Sequence, residues 1–229
     1  MAVGIFMNRQ SFVCKESAMS TTISHGIYNS ALFKKAYWQS LRTHIDQVVK
    51  YQAVVGLLGK SETGKSTLCH ALLGRDVDQQ DTIDLNTTSP QEFTLAYKNG
   101  KGLALIDMPG FGTTRDRDQA AHDFYISILP EIDLVVWVVK TNDEHWQADL
   151  AFYQRTVAAY CQQRHLPVLL VLNEFDQKVS HNHAEQQKYL SLSFSDSSAA
   201  CSVSALTGRG VYHLLEYILA YLPQQRCRC

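Results

Sequence analysis

Eight residues, Gly59 to Ser66 (GKSETGKS), stand between an apolar run and a helix-like one and fit the phosphate-loop pattern G-x-x-x-x-G-K-[ST]. The spacing has a chemical reason. Two glycines let the backbone curl so that successive N–H groups point inward at phosphate oxygens, and the following helix adds the positive end of its dipole. Lys65 would reach the β- and γ-phosphates and Ser66 would ligate Mg2+. The context is the one the motif needs, because Ala53 to Leu58 (AVVGLL) reads as a buried strand and Thr67 to Leu73 as helix, with Gly74 placed to cap it. Gly59, Lys60, Ser61, Glu62, Thr63, Gly64, Lys65, Ser66 and Thr67 are therefore expected to cradle a nucleotide.

A chain of 229 residues suits one substantial domain with an extension. The net charge of -1 gives no strong nucleic-acid signal, and no apolar run reaches the length of a membrane span. Six dispersed cysteines read as reduced thiols of a cytoplasmic protein. Residues 1–26 lack an apolar signal region and read as a flexible leader. Residues 27–51 carry Leu32, Ala36, Leu41, Ile45 and Val48 at helical spacing, an amphipathic helix expected to pack on the domain after it.

Residues 52–223 then alternate between strand and helix. Phe93 to Tyr97 and Leu103 to Ile106 form a hairpin around the Asn-Gly of KNGK at 98–101, so one strand is antiparallel. Asp118 to Leu129 reads as a helix stopped by Pro130, Leu134 to Val139 as a buried parallel strand, and Trp146 to Gln163 as a further helix. Val168 to Leu172, Ala200 to Val203 and a helix from Gly210 to Leu222 complete the alternation, leaving 224–229 as a polar tail. The expectation is an α/β fold of the P-loop type: a mixed six-stranded sheet with one antiparallel strand and helices on both faces, plus the N-terminal amphipathic helix.

Four further stretches stand in the order that a guanine-nucleotide switch needs. Asp107, in Asp107 to Gly110 (DMPG), would hold Mg2+ through water, and the Gly110 N–H would sense the γ-phosphate. Thr87 or Thr88, with Thr88 preferred, lies in a long polar loop at 75–90 where a hydroxyl would complete the metal shell. Asn173, Glu174 and Asp176 occur in NEFD at a strand end. Asp176 would accept from guanine N1–H and the 2-amino group, and Asn173 would tie this loop to the phosphate loop. Ser204, Ala205 and Leu206 follow the last strand, where the Ala205 N–H would meet guanine O6.

From about Tyr51 to Pro223 these motifs, with LPEIDLVVWVVK and VSALTGRG, make the chain resemble Era-like or TrmE-like GTPases of the translation-factor-related class, and small bacterial ribosome-binding-type GTPases. The resemblance implies binding of GTP and GDP, dependence on Mg2+ and a conformational switch. Departures stand beside it. Glu174 replaces the lysine that packs over the purine, a loss of about 1 kcal/mol of cation–π attraction. Phe111 stands where Ras-like enzymes place the glutamine that orients water. Glu62 replaces the asparagine of potassium-activated relatives, and Arg75, Arg115 and Arg117 are the cations that could serve the transition state. The Cys-Arg-Cys ending and His181 with His183 read as polar surface rather than as lipid or metal sites.

The function these residues suggest is slow, Mg2+-dependent GTP hydrolysis, with Lys65, Thr88 and Gly110 at the reacting phosphate. Loops 75–90 and 107–118 would be read by a protein effector or by a second copy through the switch face. Two other readings remain: a nucleotide-dependent binding module that does not hydrolyse, and an ATP-using P-loop enzyme.

Overall fold

The computed structural model describes residues 39, 43, 45–46, 49–74, 89–98, 101–141, 143, 145–173, 193–194 and 197–222. The leader, most of the N-terminal helix, the loop bearing Arg75, Thr87 and Thr88, the residues after Asn173 through 192, and the tail lie outside them.

The strands are β1 (Gln52–Leu58), β2 (Gln91–Lys98), β3 (Lys101–Asp107), β4 (Leu134–Lys140), β5 (Val168–Asn173) and β6 (Ala199–Val203). They form one sheet in the order β2-β3-β1-β4-β5-β6, with β2 antiparallel to β3 and every other pair parallel. The sequence expectation of a mixed six-stranded sheet holds. The Lys98↔Lys101 pairing leaves two residues for the hairpin connection, as the Asn-Gly pair requires, although Asn99 and Gly100 themselves are outside the described residues.

The helices are α1 (Lys65–Leu72), α2 (Arg115–Ile128), α3 (Trp146–Tyr153), α4 (Ala159–Arg164) and α5 (Val211–Tyr221). Strand periodicity explains why they need both faces. In β4, Leu134, Val136 and Val138 enter the core that α1 and α5 cover, while Val135, Trp137 and Val139 enter the core under α2, α3 and α4. A strand buried on both sides reads as an unbroken apolar run, which is what LVVWVV is. Of the N-terminal segment, Gln39, Thr43, Ile45 and Asp46 are helical, and Ile45 and Val49 are buried in the α1/α5 core.

Two helices differ from the sequence reading. α2 begins three residues earlier than Asp118, because the Thr114 side chain accepts from Arg117 N (3.3 Å) and Asp116 and Asp118 favour the first turn. The single helix expected over 146–163 is interrupted by a π-helical turn, Gln154–Ala158, between α3 and α4. There Thr156, Val157 and Ala158 are all buried, three consecutive residues that α-helical geometry would spread over about 200°. At the opposite end of the sheet from the phosphate loop, Val54 N donates to Asp133 Oδ2 (2.8 Å) and Asp133 N donates to Val54 O (2.8 Å), which fixes β1 against the start of β4. No helix among the described residues is long and apolar enough to cross a membrane.

Replacing Asp133 by Ala leaves the half-buried Val54 N–H without its acceptor. Urea unfolding should show a loss of about 1–3 kcal/mol with unchanged m.

Candidate functional site

The loop from Gly59 to Gly64 leaves the carboxyl end of the central strand β1 and enters α1. Gly64 precedes the helix at φ 85°, a left-handed conformation that glycine adopts without steric cost, whereas Glu62 holds φ 62° with a side chain. Lys65 folds back under the loop, where its Nζ donates to Gly59 O (3.0 Å) and Lys60 O (2.7 Å). Burial lowers its pKa to about 8, with Asp107 and then Asp149 opposing the shift. Thr63 Oγ1 donates to Lys60 O as well (2.9 Å).

Ser66 and Asp107 meet at the floor of the site. Ser66 Oγ donates to Asp107 Oδ2 at 2.6 Å, joining the first turn of α1 to the end of β3. A hydroxyl and a buried carboxylate converging in this way are hard oxygen donors, and they fit Mg2+. Thr88, expected to join them, lies outside the described residues.

Gly110 packs so closely on the loop that a Cβ there would fall 2.6 Å from Ser61 atoms. The next residue continues the contact, for Ser61 N donates to Phe111 O (2.7 Å) and Lys60 bridges Phe111 in parallel. The Phe111 ring turns away into the core and stacks on Phe152 at 3.8 Å between centroids. Lys60 extends to the Asp143 carboxylate; burial is the largest influence and would raise the Asp143 pKa, but the bonds from Lys60 and the His145 N–H, with the Lys60 charge, together hold the carboxyl below its ordinary value.

Asn173, at the end of β5, is buried and bonded on both sides. Its Nδ2 donates to Thr63 O (2.9 Å), and its Oδ1 accepts from Ala205 N (3.1 Å). The Ala205 N–H expected to meet guanine O6 is thus engaged by Asn173 in this structure. Ser204 is fully buried and Leu206 is exposed. Glu174 and Asp176 lie outside the described residues.

Two residues at the site were not found from sequence. Tyr125, on α2, is fully buried, and its hydroxyl accepts from Gly59 N (3.1 Å) and lies within donating distance of Pro109 O (3.0 Å) and Gly59 O (3.2 Å). It joins the phosphate loop to the Asp107–Gly110 segment. Burial raises its pKa well above that of an ordinary phenol. Nothing in the pattern of α2 separates such a tyrosine from a core tyrosine. Asp149, on α3, is also fully buried, and neither carboxyl oxygen has a partner at full hydrogen-bond geometry. Burial pushes its carboxyl up to about 7, the charge and backbone N–H of Lys60 opposing. Its spacing to Phe152 and Tyr153 sets it on an apolar side of the helix, which marks burial but not membership of the site.

The two described arginines at the start of α2 part company. Arg117 lines the cleft formed by Ser61, Gly64, Lys65 and Gly110, with Phe124 at its edge. Arg115 faces a separate cleft with Thr114, His122 and Arg155.

Comparison with known proteins agrees with this geometry. Residues 54–174 match the family described as 50S ribosome-binding GTPase. The chain is 30% identical over 151 residues to the uncharacterized protein YkfA of Escherichia coli (strain K12), covering 65% of this chain and 51% of that one. It is 30% identical over 171 residues to GTPase Der of Chloroherpeton thalassium, covering 74% and 37%. The chain therefore spans about half or less of these relatives. Among solved structures, Era in complex with MgGDPNP and nucleotides 1506-1542 of 16S ribosomal RNA superposes with a TM-score of 0.63 at 22% identity, covering 77% of this chain and 58% of that one, a likeness of fold.

Two variants test the newly found residues. Tyr125→Phe strands the Gly59 and Pro109 backbone groups, and thermal or urea unfolding should show a loss of about 1–3 kcal/mol. For Asp149 the sign follows from its raised pKa: the folded state holds a proton that the unfolded state has released between about pH 4 and 7, so this group's contribution to stability falls as pH rises through that window. Asp149→Asn should therefore melt at higher temperature than wild type at pH 8, with the difference shrinking towards pH 4.

Proposed function

The chain belongs to the 50S ribosome-binding GTPase family, and from that premise we propose that it binds GTP and GDP with Mg2+ and hydrolyses GTP slowly, as a switch. The observation that carries the reading is the meeting of Ser66 and Asp107 directly below a loop already folded over Lys65.

In this reading Lys65 is held in place for its task by the carbonyls of Gly59 and Lys60 and exchanges them for β- and γ-phosphate oxygens. The charge-assisted bonds it then makes are stronger than those it gives up. Ser66 and Asp107, with Thr88, would hold Mg2+, whose chemistry is to neutralise charge on the β- and γ-phosphate oxygens. Gly110 lies against Ser61 at the γ-phosphate end, so a phosphate entering there has to part the Ser61–Phe111 contact. That parting is the switch: it moves the segment 107–112, whose Phe111 ring is keyed to Phe152 of α3. Asn173 holds the base-side turn to the phosphate loop, and Asp176 selects guanine.

Partners follow from the same surface. A protein effector or a second copy would read the segment 107–118, in a cytoplasmic setting consistent with the buried, unbridged thiols of Cys69 and Cys161. The RNA contact named for Era is that protein's own, and a net charge of -1 supplies no footprint for one here.

The test is binding of labelled GDP and GTP to purified protein with Mg2+, in competition with ATP, followed by phosphate release over a range of protein concentrations. Lys65→Ala should weaken nucleotide binding by roughly ten- to a hundredfold, and Asp176→Asn should remove the preference for guanine. Equal competition by ATP would refute guanine selection. Binding without turnover at any protein concentration would make the protein a nucleotide-dependent binding module instead.

A further inference from the structure

Hydrolysis needs positive charge at the γ-phosphate beyond that of the phosphate loop; of the arginines the sequence offers, Arg75 lies outside the described residues and Arg115 and Arg117 lie within them. The geometry points to Arg117 as a catalytic residue, an arginine supplied in cis from the first turn of α2; the inference rests on the GTPase reading above.

Three observations converge on it. Phe111, at the position where a water-orienting glutamine would stand, is 2% exposed and stacked flat on Phe152, so that position delivers no polar group to the cleft. Arg117 lines the same cleft as Ser61, Gly64, Lys65 and Gly110. Arg115, two residues earlier on the same helix, lines a different cleft with His122 and Arg155. The helix that carries Arg117 is fixed to the switch: Thr114 accepts from the Arg117 backbone N–H, Asp118 Oδ1 accepts from Gly112 N at 2.6 Å, and Tyr125 ties the same helix to Gly59. The backbone of Arg117, and with it the exposed side chain, moves with the segment that senses the γ-phosphate. The side chain also brings a positive charge into a cleft that Glu62 lines, whose carboxylate otherwise opposes an incoming phosphate.

In the reaction a water oxygen bonds to the γ-phosphorus while the bond from that phosphorus to the β–γ bridging oxygen breaks. The bonding pair leaves on GDP, and the proton of the water passes to the released phosphate. Arg117 remains protonated throughout and donates N–H bonds to the oxygens on which negative charge gathers. It strengthens in the transition state and adds little to ground-state binding.

The test compares full-length wild type with Arg117→Ala, Arg117→Lys and, as control, Arg115→Ala. GDP affinity, multiple-turnover phosphate release and capture of GDP with aluminium fluoride are measured for each. Arg117→Ala should release phosphate on the order of 10³-fold more slowly and lose aluminium fluoride capture, with GDP affinity within a few fold of wild type, while Arg115→Ala behaves as wild type. Arg117→Lys should recover only part of the rate, since an ammonium cannot reproduce the planar fork. Wild-type turnover in Arg117→Ala, or an equal loss in Arg115→Ala, overturns the assignment. If wild type binds GDP but turns over too slowly to follow, Arg117-dependent aluminium fluoride capture supports the assignment and absence of capture overturns it. A wild type that binds no guanine nucleotide instead fails the GTPase reading on which the assignment stands.

Discussion

The structure depends on how the polar backbone from Gly59 to Gly64 is satisfied while its outer face stays open. A loop that leaves a strand buried over its last four residues carries carbonyls and amides into an apolar surround, and each one left unpaired there costs about 1–3 kcal/mol. Lys65 takes the carbonyls of Gly59 and Lys60, Thr63 adds a second bond to Lys60 O, Asn173 takes Thr63 O, and the Tyr125 hydroxyl takes Gly59 N. The partners come from α1, α2 and β5, so the loop is the point where separate parts of the fold are pinned together.

That pinning couples the site to the two cores. The sheet alternates its side chains between a core under α1 and α5 and another under α2, α3 and α4. The segment after Asp107 and helix α2 connect to the second. Phe111 stacks on Phe152, Tyr125 packs against Trp137 and Phe152, and His122 hydrogen-bonds Thr156 Oγ1 (3.0 Å) in the π-helical turn. Moving the segment after Asp107 means repacking aromatic rings, which have a small number of discrete arrangements and not a continuum, and this is the property a switch requires. The first core holds the body of α1, which begins at Lys65, and Ala205, whose N–H Asn173 accepts.

The charges at the site are arranged with the same economy. Lys60 pairs with Asp143, and Lys65 folds back on the loop carbonyls with Asp107 favouring its charged form. Asp149 is the strained member, a carboxyl in a dry position whose proton is held to about pH 7. Arg117 and Glu62 line the same cleft, so it carries both signs of charge.

Much of this was legible in the chain alone. Period-two and unbroken apolar runs marked the strands, KNGK marked the antiparallel pair, and G-x-x-x-x-G-K-S, D-x-x-G and N-x-x-D stood at strand ends in the order of one family, because those are local patterns with local physical causes. Tertiary structure decided the rest. Sequence could not say that Tyr125 or Asp149 belongs to the site, since a residue's partners lie 66 positions away in the one case, and burial, not residue type, sets the charge state in the other. Nor could it choose between Arg115 and Arg117, because two residues apart on a helix is about 200° of rotation, and only the seating of α2 against the phosphate loop fixes which of them looks into the cleft.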